Sequence, residues 1–165
     1  MAKIDTIDTG TEKITCLNIS DTIGPGGANH AADVMAVQAL LNYMCGGSED
    51  WGLYALGTFS ALDILPGVSG EYDEATYFAI ANFHQSWAKR LLKPSDPIIH
   101  PANYGGRVLK HYKTGRLMTI TLMSQLAEEV SQINAGTGYL ERIFRIYPKL
   151  GVWVGQGANK YVGDL

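Results

Sequence analysis

The sequence predicts a mainly α fold: a helical bundle with extra C-terminal helices and a small β-hairpin. Three stripes of apolar residues predict it. Val34, Val37, Leu41 and Met44 recur at spacings of 3, 4 and 3, which places them on one helix face. Thr76, Ala79, Ile80, Phe83 and Trp87 build a second stripe of the same kind. Leu117, Ile120, Leu126, Val130 and Ile133 mark a third, in a helix from about Arg116 to Asn134. The 165 residues suit one globular domain, and 46% hydrophobic residues suffice for its core.

In chain order, residues 1–21 are polar and Thr-rich, with weak alternation in KITCLNI, and read as an extended N-terminal arm. The turn GPGG follows, and either Asn29 or Asp33 can cap the first helix, since each side chain accepts a bond from an orphan backbone N–H. Residues 45–66 have no clean period but carry Trp51, Tyr54 and Phe59, so they read as a partly packed insertion covering the core. Asp73 is an N-cap and Glu74 a favourable first-turn residue for the second helix, which KPSDP ends. IIHPANYGGRVLKHY reads as a strand-like entry, a Gly turn and a short helix. Gly136 and Gly138 stop the third long helix. YLERIFRIY is a short amphipathic helix ending at Pro148, and the tail GVWVGQGANKYV alternates around a Gly-rich turn, a candidate hairpin.

Charge and motifs exclude several roles. The net charge is −3 and the 13 Lys and Arg are scattered, which gives no basic stripe for nucleic acid. The N-terminus has no apolar segment of the Sec type, and no run approaches transmembrane length, so neither Sec export nor membrane insertion is expected. Synthesis in the cytoplasm is expected, with any action in the periplasm or at the cell wall following non-Sec export or lysis. Cys16 and Cys45 lack C-x-x-C spacing; two buried thiols are favoured over a disulfide.

DVMAVQALLN followed by GVSGEYDEATYFAIANFHQ resembles the peptidoglycan-binding domain family, a three-helix module attached to many bacterial cell-wall hydrolases. Val34, Val37, Gln38 and Leu41 match its first helix; Gly70, Tyr72 and Thr76 match its turn; Ala79, Ile80 and Phe83 match its last helix. The opening GPGGANHAADV is similar to one branch of that family, and Gly105, Gly106, Arg107 and Leu109 echo that branch's closing segment. The resemblance covers residues 22–112 and leaves 113–165 as a helical extension with a Gly-rich tail, packed on the same core. It departs at Ser69, Asp73, Glu74 and His84, where the family has aspartate, glycine, proline and glutamine. Serine makes a weaker side-chain-to-backbone bond than aspartate, and Asp73 gains a capping role.

The resemblance implies non-catalytic binding of peptidoglycan, through its glycan or its stem peptides, with no cofactor and no metal. Aromatic faces stack on sugars, amides bond hydroxyls and arginine pairs with carboxylates. Asn29, His30, Gln38, Tyr72, His84, Gln85, Tyr104 and Arg107 supply those groups near the family motifs. Trp153 and Tyr161 in the tail are candidate anchors for a protein partner. An adaptor with a decayed groove is the alternative, a small wall hydrolase the second. Against the hydrolase, no His lies in a recognisable zinc spacing and there is no G-x-S-x-G. Glu128 and Glu129 read as a solvated pair on a polar helix face. A phage lysis protein, or a cargo or accessory of a contractile secretion apparatus, fits a wall-directed chain without a Sec signal.

Overall fold

The computed structural model describes residues 1–8, 13–44, 65–88, 97–102, 119–134 and 138–155. Trp51, Tyr54, Phe59, Cys45 and the segment after Gly155 lie outside them, as do the side chains of Trp87 and Ile133. Among the described residues the fold is mainly α, with five helices and one two-stranded antiparallel sheet.

The chain opens with a hairpin, β1 (Lys3–Asp8) and β2 (Lys13–Asn18), in register from Lys3 opposite Asn18 to Asp8 opposite Lys13. The N-terminal arm, read as a single extended segment, thus holds both strands of the sheet. The alternation in KITCLNI is its signature: Ile14 and Cys16 are buried while Lys13 and Thr15 are exposed. Leu17 breaks the alternation, as does Ile19 just past the strand; both are fully buried, and Ser124 of α3 and Tyr139 of α4 close the strand edge at Leu17.

Helix α1 (Ala31–Met44) carries the valine stripe, and Val34, Val37, Leu41 and Met44 have no exposed surface. Its other faces are buried too, through Met35, Ala36, Ala39 and Leu40, so it is the central helix of the bundle. Helix α2 (Glu74–Ala88) buries Thr76, Ala79, Ile80 and Phe83 completely. Helix α3 (Thr119–Asn134) packs against β2 and α1 through Ile120, Met123 and Ala127. Helix α4 (Tyr139–Ile146) is the predicted amphipathic segment and buries Tyr139, Ile143 and Phe144. Proline, which lacks an N–H, sits at the first position of helix α5 (Pro148–Trp153). One buried cluster spans Cys16, Leu41, Ile80, Ile120 and Leu150, so residues from both ends of the sequence share a core.

The hairpin therefore stands at the N-terminus, and the described part of the tail is helical. Residues 151–153, read as the start of an alternating strand, continue α5 because Leu150 is anchored in the core beside α1. Capping of α1 also differs from expectation. The N–H groups of Asp33 and Val34 both bond the His30 carbonyl, and neither Asn29 nor Asp33 uses its side chain as the cap.

The sheet is fastened to the helices by polar groups. The Leu17 N–H donates to Ser124 Oγ at 3.1 Å and to Tyr139 Oη at 3.0 Å, and the Tyr139 hydroxyl donates to the Thr15 carbonyl at 3.0 Å. Cys16 lies in the same layer, and burial pushes its thiol up to about 12. The Tyr139 phenol is raised for the same first reason. Both groups ionise more readily in the unfolded chain, so stability holds below the ordinary thiol value and falls as pH climbs through it. The expected loss from Cys16 alone is about 1.5–2 kcal/mol at pH 10. Urea midpoints at pH 8 and pH 10 check this; Cys16→Ala should show a smaller drop, and an equal drop would place the titrating group elsewhere.

Candidate functional site

The junction between the glycine turn and α1 is tightly built. Gly24 has φ +136°, and a Cβ there would stand 2.8 Å from the Pro97 carbonyl oxygen, so only glycine allows that approach. It brings Ile23 and Ile99 into a two-way backbone pairing at 2.9 and 2.8 Å. Asn29, at φ +49°, turns its carboxamide back on the loop: Oδ1 accepts from Gly24 N–H at 2.9 Å and Nδ2 donates to the Gly24 carbonyl at 3.1 Å. Asparagine tolerates this left-handed conformation better than most residues. Asp33 is buried and accepts from the Ser20 hydroxyl at 2.7 Å and the Asp21 N–H at 3.3 Å, tying the chain after β2 to α1. His30 stays exposed, 3.8 Å from the Asp21 carboxylate.

Gln38 organises the second motif. Its side chain is fully buried. Nε2 donates to the Glu71 carbonyl and to Thr76 Oγ1, both at 2.9 Å. Oε1 accepts from Ser69 N–H at 3.1 Å and from Gly70 N–H at 2.9 Å. A carboxamide has two donors and two acceptor lone pairs, so its capacity is spent inside the protein. The turn it holds needs Gly70, at φ +84°, because a Cβ would sit 2.8 Å from the Ala31 carbonyl oxygen. Asp73 caps α2 by accepting from both the hydroxyl and the N–H of Thr76, at 2.6 and 2.8 Å. Those two donations hold its carboxyl below the usual value. At Ser69, the hydroxyl accepts from the Glu71 N–H at 3.1 Å, the turn bond that its aspartate counterpart would make.

The remaining candidates do not all converge. Tyr72 is half-buried beside this turn, with its hydroxyl raised above the ordinary phenol value by burial. His84 and Gln85 stand two turns further along α2, about 12 Å from Thr76 at 1.5 Å per residue. His84 is buried and shares a 2.9 Å hydrogen bond between Nε2 and Thr119 Oγ1, joining α2 to α3, while Gln85 is exposed. Tyr104 and Arg107 lie outside the described residues, as does Tyr161. Trp153 is half-buried, with the Lys149 ammonium 4.6 Å from its ring centroid.

A second feature escaped the sequence reading. A groove of about 580 Å³ opens between β2, α3 and α4, lined by Lys13, Thr15, Gln125, Glu128, Gln132 and Gly138 among others. Glu128, expected to be solvated, is half-buried there. Its carboxylate accepts from the Tyr139 N–H at 3.3 Å and from the Gln132 amide at 3.4 Å. Gly138 at the N-cap of α4 has no side chain to offer, so Glu128 supplies the cap from the neighbouring helix, where a negative charge also suits the dipole. Only the sequence's Gly-then-amphipathic pattern hinted that α4 would need a cap from elsewhere.

Among the described residues, no group of three His, Cys, Asp or Glu side chains is placed to hold a metal ion, and no helix is long and apolar enough to cross a membrane. No protein-family model, no curated protein and no solved structure matches the chain.

Proposed function

We propose that this protein is a non-catalytic binding module for bacterial cell-wall peptidoglycan, built on a peptidoglycan-binding-domain-like helical bundle. One observation supports this most. The motif residues that carry the resemblance act together: Gln38 on α1 holds the Ser69–Glu71 turn, Asp73 and Thr76 start α2, and Val37, Leu41, Ile80 and Phe83 are all buried. In this reading Gln38, like Asn29, builds the platform and contacts no ligand. His30, Tyr72 and Gln85 remain as groups with exposed surface for sugar rings, hydroxyls and stem-peptide amides. Arg107 is the proposed partner for a stem carboxylate. The proposed setting is a phage lysis protein or an accessory or cargo of a contractile secretion apparatus.

The test is co-sedimentation with purified sacculi. Wild type is expected in the pellet, Arg107→Ala weakened, and a chain ending at Gly155 unchanged. The truncation is placed there because Leu150 belongs to the core and cannot be removed without damage. The supernatant should contain no released muropeptides, with or without zinc. Wild type wholly in the supernatant would remove the reading, and soluble fragments would replace it with a hydrolase.

A second reading, a protein adaptor, is favoured by the surface of α4 and α5. Ile146 and Val152 are 42% and 57% exposed, next to half-buried Trp153. Apolar side chains of this kind are natural anchors for a partner. The same assay separates the two: an adaptor stays in the supernatant and loses its partner when Trp153 is replaced by alanine.

A further inference from the structure

Helix α2 turns an uncharged face to solvent. From Ala75 to Ala88 the sequence holds no Asp, Glu, Lys or Arg, and the helix's one carboxylate is Glu74 in its first turn. A helix face that meets only water normally carries charged residues. Helix α4 does so: Glu141, Arg142 and Arg145 lie off its buried stripe, and Arg145 donates to Glu141 at 3.0 Å across one turn. The solvent side of α2 carries an aromatic ring and two amides instead.

Phe78, Ala81, Asn82 and Gln85 fall at spacings of 3, 1 and 3, which places them on one side of the helix. A lone exposed ring is ordinary on a protein surface. Phe78, 48% exposed, is also held in place. The Tyr77 ring stands 5.3 Å away, centroid to centroid, at 76°, an edge-to-face contact. Asn82 and Gln85 are exposed, and neither carboxamide has a hydrogen-bond partner among the described residues. They differ in this from Gln38 and Asn29, whose carboxamides are spent on the protein's own groups. Ala81 between them is small, so the line from the ring to the amides stays shallow. From Phe78 to Gln85 that line runs about 10 Å, at 1.5 Å rise per residue, roughly the length of a disaccharide.

The chemistry of this line selects its ligand. Without a charge it has no ion pair to offer a phosphate or a carboxylate. A stable protein interface buries on the order of 1,200–2,000 Å² around an apolar centre, and one exposed ring does not make that centre. A sugar asks for less. Its apolar C–H face stacks on a single aromatic ring, and its hydroxyls and acetamide bond uncharged amides.

We propose that the Phe78–Asn82–Gln85 face of α2 binds the sugar backbone of a glycan, with one N-acetylated hexose stacked on Phe78 and the next bonded by Asn82 and Gln85. The source of that glycan, the bacterial wall, rests on the function proposed above, which assigned Gln85 to sugars but neither Phe78 nor Asn82.

The test is titration of a soluble N-acetylglucosamine hexamer into the isotope-labelled full chain and into Phe78→Ala, Phe78→Trp and Gln85→Ala. Both positions are exposed, so each variant is expected to unfold within a few degrees of wild type. In wild type the side-chain amide signals of Asn82 and Gln85 should shift. Affinity should fall about tenfold in Phe78→Ala and hold or tighten in Phe78→Trp. It should fall a few-fold in Gln85→Ala. If Phe78→Ala does not fold, the wild-type amide signals and the loss in Gln85→Ala decide instead. No binding, binding that leaves those amide signals unmoved, or equal binding by folded Phe78→Ala would each overturn the proposal. Sacculi separate it from the cell-wall reading. Wild type that binds the hexamer but not sacculi keeps the glycan face and removes the wall. Sacculi that retain wild type and Phe78→Ala alike, with no hexamer bound, keep the wall and remove the face.

Discussion

Phe83→Ala is expected to cost about 3–5 kcal/mol of folding stability. The ring has no exposed surface and lies in the cluster that contains Val37, Leu41 and Ile80. Truncation removes the transfer free energy of the ring and leaves a cavity that the surrounding helices can close only in part. Domains of this size carry on the order of 5–15 kcal/mol in total, so the variant should be near its unfolding limit at physiological temperature. Urea unfolding followed by circular dichroism measures it. Phe83→Leu, which keeps most of the volume, should lose less than half as much. A loss below about 1 kcal/mol for the alanine variant would mean that α2 does not bear on the core as described.

The second large effect should follow Gln38→Leu, at about 2–4 kcal/mol, since leaving buried groups unpaired costs about 1–3 kcal/mol apiece. Leucine approximates the volume but removes four hydrogen bonds at once. Water can reach Ser69 and Glu71, which are exposed, but the Gly70 N–H is buried and would be left without an acceptor. The local signature is therefore loss of hydrogen-exchange protection at Gly70, beyond what the global change explains. Protection that survives in Gln38→Leu would show that the glycine turn closes without the carboxamide. This result also bears on function. If sacculi still bind Gln38→Leu at a temperature where it is folded, the residue is architectural in the binding module as well.

The helices were legible because each repeats its apolar residues at the helical period, and periodicity is a local property. The Val34–Met44 and Thr76–Phe83 stripes, the Asp73 cap and the helix that ends before Pro148 could all be read without knowing what packs against what. The hairpin was half legible. Alternation marks β2, but buried Leu17 breaks it, and the groups that close the strand edge there, Ser124 and Tyr139, lie more than 100 residues later in the chain. The binding candidates divided for the same reason. Side-chain type identified Asn29 and Gln38 as polar residues beside glycine turns, but type cannot say whether a carboxamide faces a ligand or its own backbone.

The sequence alone therefore determined the secondary elements and their apolar faces: helices α1 to α4, the two glycine turns, and a core large enough for one domain. Tertiary structure decided where the polar groups spend their bonds. It turned Gln38 inward and clamped Asn29 on Gly24. It made Glu128 the cap of a helix that has none of its own, kept residues 151–153 helical by anchoring Leu150, and left Lys13 and Thr15 beside a groove. The physical reason is range. A helical stripe is set by neighbours three and four residues away, while a hydrogen-bond partner is whichever group folding brings within about 3 Å, however distant in the chain.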